Sequence, residues 1–135
     1  MKARIVDTNI ILRFLIGDVP AQLEKSKKLI ERIEKREEKV YLPLLCAFEV
    51  VFTLEKFYQI PRAEIEEKLS ILFSLKGIQI SSKNIFLKAL KLYKETNISF
   101  ADAFIITLMK DSGIDEIYSF DNDFEKIEGI KRIDP

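Results

Sequence analysis

Short apolar runs separated by stretches of helical spacing constrain this chain more than any other feature. Residues 3–7, 40–42, 77–80, 116–121 and 129–133 read as strands. Between the first four lie segments whose apolar residues recur at helical spacing. Ile10, Ile11, Phe14 and Leu15 mark a helix over 8–16, which Gly17-Asp18-Val19-Pro20 ends while opening the next. Leu23, Leu29, Ile30 and Ile33 make a narrow stripe on an otherwise charged helix over 21–38. Further helices are expected over 43–58, after Pro61 with Ile65, Leu69, Leu72 and Phe73 inward, over 82–96 capped by Ser81 or Ser82, and over 99–111 capped by Ser99. Strands alternating with helices predict an α/β sandwich with a largely parallel sheet, the run at 129–133 closing it as an edge strand. No repeat or linker divides the 135 residues, so a single domain over 1–135 is expected.

Composition matters chiefly for what it excludes. There is no histidine, and Cys46 is the only cysteine. Imidazole-based triads, zinc sites built on His and Cys, and an intrachain disulfide are therefore ruled out. Polar chemistry must rest on the remaining side chains, and clustered carboxylates favour magnesium or manganese. The 22 basic and 22 acidic residues balance, so nucleic acid could be drawn only by a local patch. No apolar run approaches the ~20 residues of a membrane span. The first acid, Asp7, comes too early for a signal peptide, which predicts a soluble, cytoplasmic protein with no membrane partner.

Four acids occupy positions that need explaining. Asp7 and Asp121 stand where strands end, the place where parallel sheets bind ligands. Simpler roles exist for both: Asp7 as the cap of the helix that follows, Asp121 as the start of an Asx-turn in Asp121-Asn122-Asp123. Glu49 lies in residues 44–54, where nine of eleven are apolar, and a helix apolar all round is buried all round. A carboxylate there requires a cation, a donor network, protonation or a buried salt bridge. Asp102 sits in a similar run, although Ser99-x-x-Asp102 also matches a capping box. If all four face one cleft, a divalent cation is the simplest way to relieve their repulsion.

The segment Asp7-Thr8-Asn9-Ile10-Ile11-Leu12-Arg13-Phe14-Leu15, followed by Asp18 and Pro20, resembles the opening of PIN-domain proteins, and most closely their VapC toxin branch. Glu49 after Pro43, Ser99-Phe100-Ala101-Asp102-Ala103, and Ser119-Phe120-Asp121-Asn122-Asp123-Phe124 match later motifs in order. The resemblance spans nearly the whole chain. It implies a PIN-like three-layer sandwich and a metal-dependent endoribonuclease, the toxin of a toxin–antitoxin pair. By position it makes Asp7, Glu49, Asp102 and Asp121 the catalytic and metal-holding acids, with Asp123 as an additional metal acid. Asn9 and Ser119 match supporting polar positions. The implied cofactor is Mg²⁺ or Mn²⁺, and the implied partners are RNA, a small antitoxin protein and a second copy of the chain.

Without histidine, an attacking water must be activated by metal, assisted by a carboxylate. Candidate RNA contacts are Arg13, Lys2 and the cluster Lys25, Lys27 and Lys28. Two other readings compete. A PIN-fold module could bind RNA or protein without turnover. A phosphoacceptor signalling domain shares the parallel sheet and acidic pocket, but needs adjacent acids after its first strand, where this chain has Thr8 and Asn9.

Overall fold

The computed structural model describes residues 2–135, which fall into two compact units, one running to Lys83 and the other Asn84–Pro135. In the first unit the order is β1 (Arg4–Ile5), α1 (Thr8–Ile16), α2 (Pro20–Glu34), β2 (Val40–Tyr41), α3 (Leu44–Lys56), α4 (Arg62–Phe73) and β3 (Ile78–Gln79). The strands pair in sequence order and all parallel, Arg4 opposite Val40 and Val40 opposite Ile78. Each parallel step requires a crossover, and here two helices make it. Val40, Leu42 and Ile78 are buried, as are Ile11 and Leu12 of α1 and Ile30 and Ile33 of α2. This is the α/β class that the alternating pattern predicts.

Helix ends follow local chemistry. Gly17 closes α1 at φ 71°, a left-handed turn open to glycine, and its amide donates to the Arg13 carbonyl. Proline opens α2 in its first turn. That helix stops at Glu34 rather than 38, because Lys35 ends it and Arg36 turns to φ 61°. Gly77 is required by space: a Cβ there would lie 2.7 Å from Ile33 Cγ2 and 3.0 Å from the Glu38 carbonyl oxygen.

Two expectations are corrected here. The run 44–54 is not buried all round: α3 buries Ala47, Val50, Val51 and Leu54, while Leu45 is 78% exposed and Phe52 40%. Its surplus of apolar residues therefore reaches the surface on one side. Nor does Ser81 or Ser82 take the capping role expected of it. The Ser81 hydroxyl pairs with the Tyr41 hydroxyl at 2.6 Å, and Ser82 lies at φ 58°, outside the extended conformation of a cap. The inner face of α4, by contrast, is Ile65, Leu69, Leu72 and Phe73 as its spacing predicts.

The second unit contains α5 from its first turn onward (Lys83–Glu95), α6 (Phe100–Ser112), β4 (Glu116–Tyr118), a 3-10 helix (Asn122–Lys126) and β5 (Lys131–Ile133). An aromatic cluster joins α5 to the start of α6. The Phe86 and Phe100 ring centroids are 4.9 Å apart, and Tyr93 meets Phe100 edge-on at 5.6 Å. β4 and β5 pair parallel, Ile117 opposite Arg132. The run 116–121 yields a strand only to Tyr118, because the residues beyond turn into the 3-10 helix. Phe124 is buried and pins that turn. Among the described residues, no helix is long and apolar enough to cross a membrane.

Candidate functional site

The first unit holds Asp7 and Glu49. Asp7 follows β1 and caps α1, its Oδ1 accepting the Ile10 amide at 3.3 Å. The capping explanation is thus correct, and it leaves the other carboxylate oxygen and the exposed side of the group available. Glu49 is exposed, so it is not the buried lone charge that its neighbours suggest. Nor is it half of a salt bridge: no basic side chain pairs with it among the described residues. Its Oε2 accepts from Thr8 Oγ1 at 3.5 Å, which links it to the residue beside Asp7. Thr8 was not singled out by sequence, because its hydroxyl works across 41 residues of chain.

The second unit holds Asp102, Asp121 and Asp123. One carboxylate oxygen from each lies within 4.8 Å of the other two, the one such group of acids among the described residues. Each acid is placed by a short-range device. Ser99 Oγ accepts the Asp102 amide at 3.1 Å, so half of the predicted capping box is present. Ser119 Oγ accepts the Asp121 amide at 3.0 Å, and Asp121 Oδ1 accepts the Asp123 amide at 2.9 Å, the Asx-turn anticipated there. Asp123 is also paired with Lys126 at 3.0 Å.

Crowding has an electrostatic consequence. Burial and the like charge of Asp121 raise the Asp102 pKa above its ordinary value, and Asp123 adds to the rise. Oxygen ligands alone suit a hard cation. Around an octahedral ion with bonds of ~2.1 Å, adjacent ligand oxygens stand about 3 Å apart, so oxygens spread over as much as 4.8 Å would have to draw together to share one ion.

Arg132 also braces this loop, which sequence reasoning missed. Its Nη1 donates to the Ser119 carbonyl at 2.8 Å and its Nε to Glu125 Oε1 at 2.8 Å, while Asp134 pairs with the same guanidinium. Nothing near Arg132 in sequence announces a partner thirteen residues away.

The remaining candidates are polar or basic. Asn9 is exposed and lines a cleft of about 380 Å³ with Asp7, Arg13 and Lys25. Arg13 is engaged within the fold, its Nε donating to Gln22 Oε1 at 2.8 Å and its Nη1 lying 3.7 Å from Asp18. Lys2, Lys27 and Lys28 are all exposed, and Lys28 pairs with Glu24 at 3.9 Å.

Comparison with known proteins places these residues in a family context. A sequence profile described as PIN domain matches residues 4–130. The chain is 28% identical to a VapC ribonuclease of Aquifex aeolicus over 132 residues, covering 98% of this chain and 96% of the relative. It is 29% identical to Ribonuclease VapC2 of Methanocaldococcus jannaschii over 140 aligned positions, covering 95% and 91%.

Proposed function

Because this chain belongs to the PIN-domain family, we propose that it is a metal-dependent endoribonuclease acting as the toxin of a toxin–antitoxin pair. The observation that carries the reading is the Asp102–Asp121–Asp123 carboxylate group, held by backbone devices and under mutual repulsion. The names of the two relatives, both ribonucleases aligned along nearly their full length, support RNA as substrate.

In this reading Asp7, Glu49, Asp102 and Asp121 would hold Mg²⁺ or Mn²⁺, with Asp123 as a further acid, and the bound ion would supply Lewis acidity toward water and the phosphodiester. The chain's own residues do the placing. Ser99 and Ser119 fix the backbone of Asp102 and Asp121, and Thr8 holds one oxygen of Glu49. Asn9 offers amide protons beside Asp7. The profile match starts in the first unit and ends in the second, which supports treating the chain as one domain. A homodimer and a small antitoxin complete the proposal, and the exposed Leu45 and Phe52 of α3 supply apolar surface for such contacts.

The test is RNA cleavage with Mg²⁺ or Mn²⁺, its loss in EDTA, and its loss in Asp7→Asn. Asparagine caps a helix as well as aspartate does, so that variant keeps its fold while losing a charged ligand. Cleavage without metal, or full activity in Asp7→Asn, refutes the proposal.

A further inference from the structure

The cleft formed by α1 and α2 beside Asp7 has a chemistry that holding a metal does not explain. Its volume of about 380 Å³ lies within the range of small-molecule sites. Its wall combines Asp7, Arg13, Gln22 and Lys25 with the apolar side chains of Ile10 and Leu29. Arg13 Nε can only donate, so the amide of Gln22 must turn its oxygen toward it. Both N–H groups of Gln22 are thereby left for something else. Arg13 is itself held by Asp18, which also accepts from the Tyr58 hydroxyl at 3.3 Å.

Lys25 follows Gln22 by three residues on α2, so the two share a helix face. Lys28 is paired with Glu24, but Lys25 is exposed and has no ion-pair partner among the described residues. One free cation, one oriented amide donor pair and an apolar wall together suit a ligand that is anionic, rich in acceptors and flat. A nucleotide has all three properties. An acidic peptide would satisfy Lys25 but make no particular use of the apolar wall.

We propose that this cleft is a substrate subsite seating one nucleotide of single-stranded RNA next to Asp7. Lys25 meets its phosphate, and the Gln22 amide donates to an acceptor on the base edge. Arg13 is a positioning residue that acts through Gln22. The proposal rests on the ribonuclease reading above.

The experiment uses the full chain with Lys25→Gln, Gln22→Ala and Arg13→Lys. Binding of a short randomised single-stranded RNA is measured in an Asp102→Asn background across salt concentrations. Cleavage of total cellular RNA is followed by sequencing of the cut ends. Lys25→Gln should weaken binding roughly threefold or more and reduce the salt slope by about 0.7. Gln22→Ala should flatten base preference at one position flanking the cut and raise KM more than it lowers kcat. Arg13→Lys keeps its charge but loses the Nε donor, so it should reproduce the Gln22→Ala pattern, and the double variant should be no worse than either single one. In the otherwise wild-type background, the Mn²⁺-induced rise in melting temperature should be unchanged in all three.

Unchanged affinity and salt slope in Lys25→Gln, with unchanged base preference in Gln22→Ala, overturn the subsite while wild-type cleavage preserves the ribonuclease. If wild type neither binds nor cleaves RNA with either metal, the ribonuclease reading fails and takes the subsite with it. If the variants lose only inhibition by the protein encoded beside this chain, the cleft serves a protein and the RNA proposal is overturned.

Discussion

Ser119 holds Asp121 by its backbone, the Asp121 amide donating to Ser119 Oγ at 3.0 Å. Arg132 in turn holds Ser119 by its carbonyl. The position of the carboxylate therefore depends on a hydroxyl two residues earlier and a guanidinium eleven residues later.

Removing that hydroxyl should loosen the acid without removing it. Ser119→Ala is expected to weaken Mn²⁺ binding about 10- to 100-fold, the usual cost of losing a group that orients a metal ligand. Its metal-free melting temperature should fall by only a few degrees, corresponding to one exposed hydrogen bond of roughly 1 kcal/mol. A Mn²⁺ titration followed by thermal unfolding reads both quantities, and unchanged metal binding would mean that Ser119 does not support the site.

The raised pKa of Asp102 gives a pH dependence of definite sign. In the folded chain Asp102 keeps its proton to a higher pH than in the unfolded chain. The stability it contributes is full below the ordinary carboxylate pKa and is lost as pH rises through the raised value. Asp121→Asn removes the neighbouring charge and can retain the Asx-turn, so without metal it should lessen that loss and melt higher than wild type at neutral pH. It should also gain less from added Mn²⁺. Denaturation across pH in EDTA checks the first effect, and the same curves with Mn²⁺ check the second.

Two devices at the start of α6 can be separated. Ser99→Ala removes the cap on the Asp102 amide and should cost about 1 kcal/mol at every metal concentration. Asp102→Asn leaves that cap intact and should melt no lower than wild type in EDTA, while losing most of the stabilisation by Mn²⁺. Similar metal-independent losses in both would reduce Asp102 to a capping residue.

Gly77→Ala tests packing away from the acids. The added methyl would press on Ile33 Cγ2 and on the backbone oxygen of Glu38, which cannot swing aside. A loss of about 1–3 kcal/mol is expected by chemical denaturation, as for other overpacked positions.

What could be read in advance depended on how local the cause was. The caps at Asp7 and Ser99 and the turn at Asp121 each act over two or three residues, and all three were legible in sequence. The inner face of α4 was legible because its spacing is regular. Residues 44–54 misled because composition counts apolar side chains without their direction. Leu45, Glu49 and Phe52 fall on one side of the turn, while Ala47, Val50, Val51 and Leu54 fall on the other. The end of α2 was missed because Lys35 and Arg36 suit a helix by propensity and no glycine marks the stop. Thr8–Glu49, Arg13–Gln22 and Arg132–Ser119 join residues separated by 41, 9 and 13 positions, and no spacing rule announces such pairs.

The pairing of Lys126 with Asp123 bears on how the acidic loop would take up a cation. An ammonium group already resides where a divalent ion would compete for the same oxygen. In the proposed metal-bound form that oxygen would be gained by exchange with the ammonium group rather than by simple filling, so neutralising Lys126 would raise the affinity for the ion, modestly because the pair is exposed.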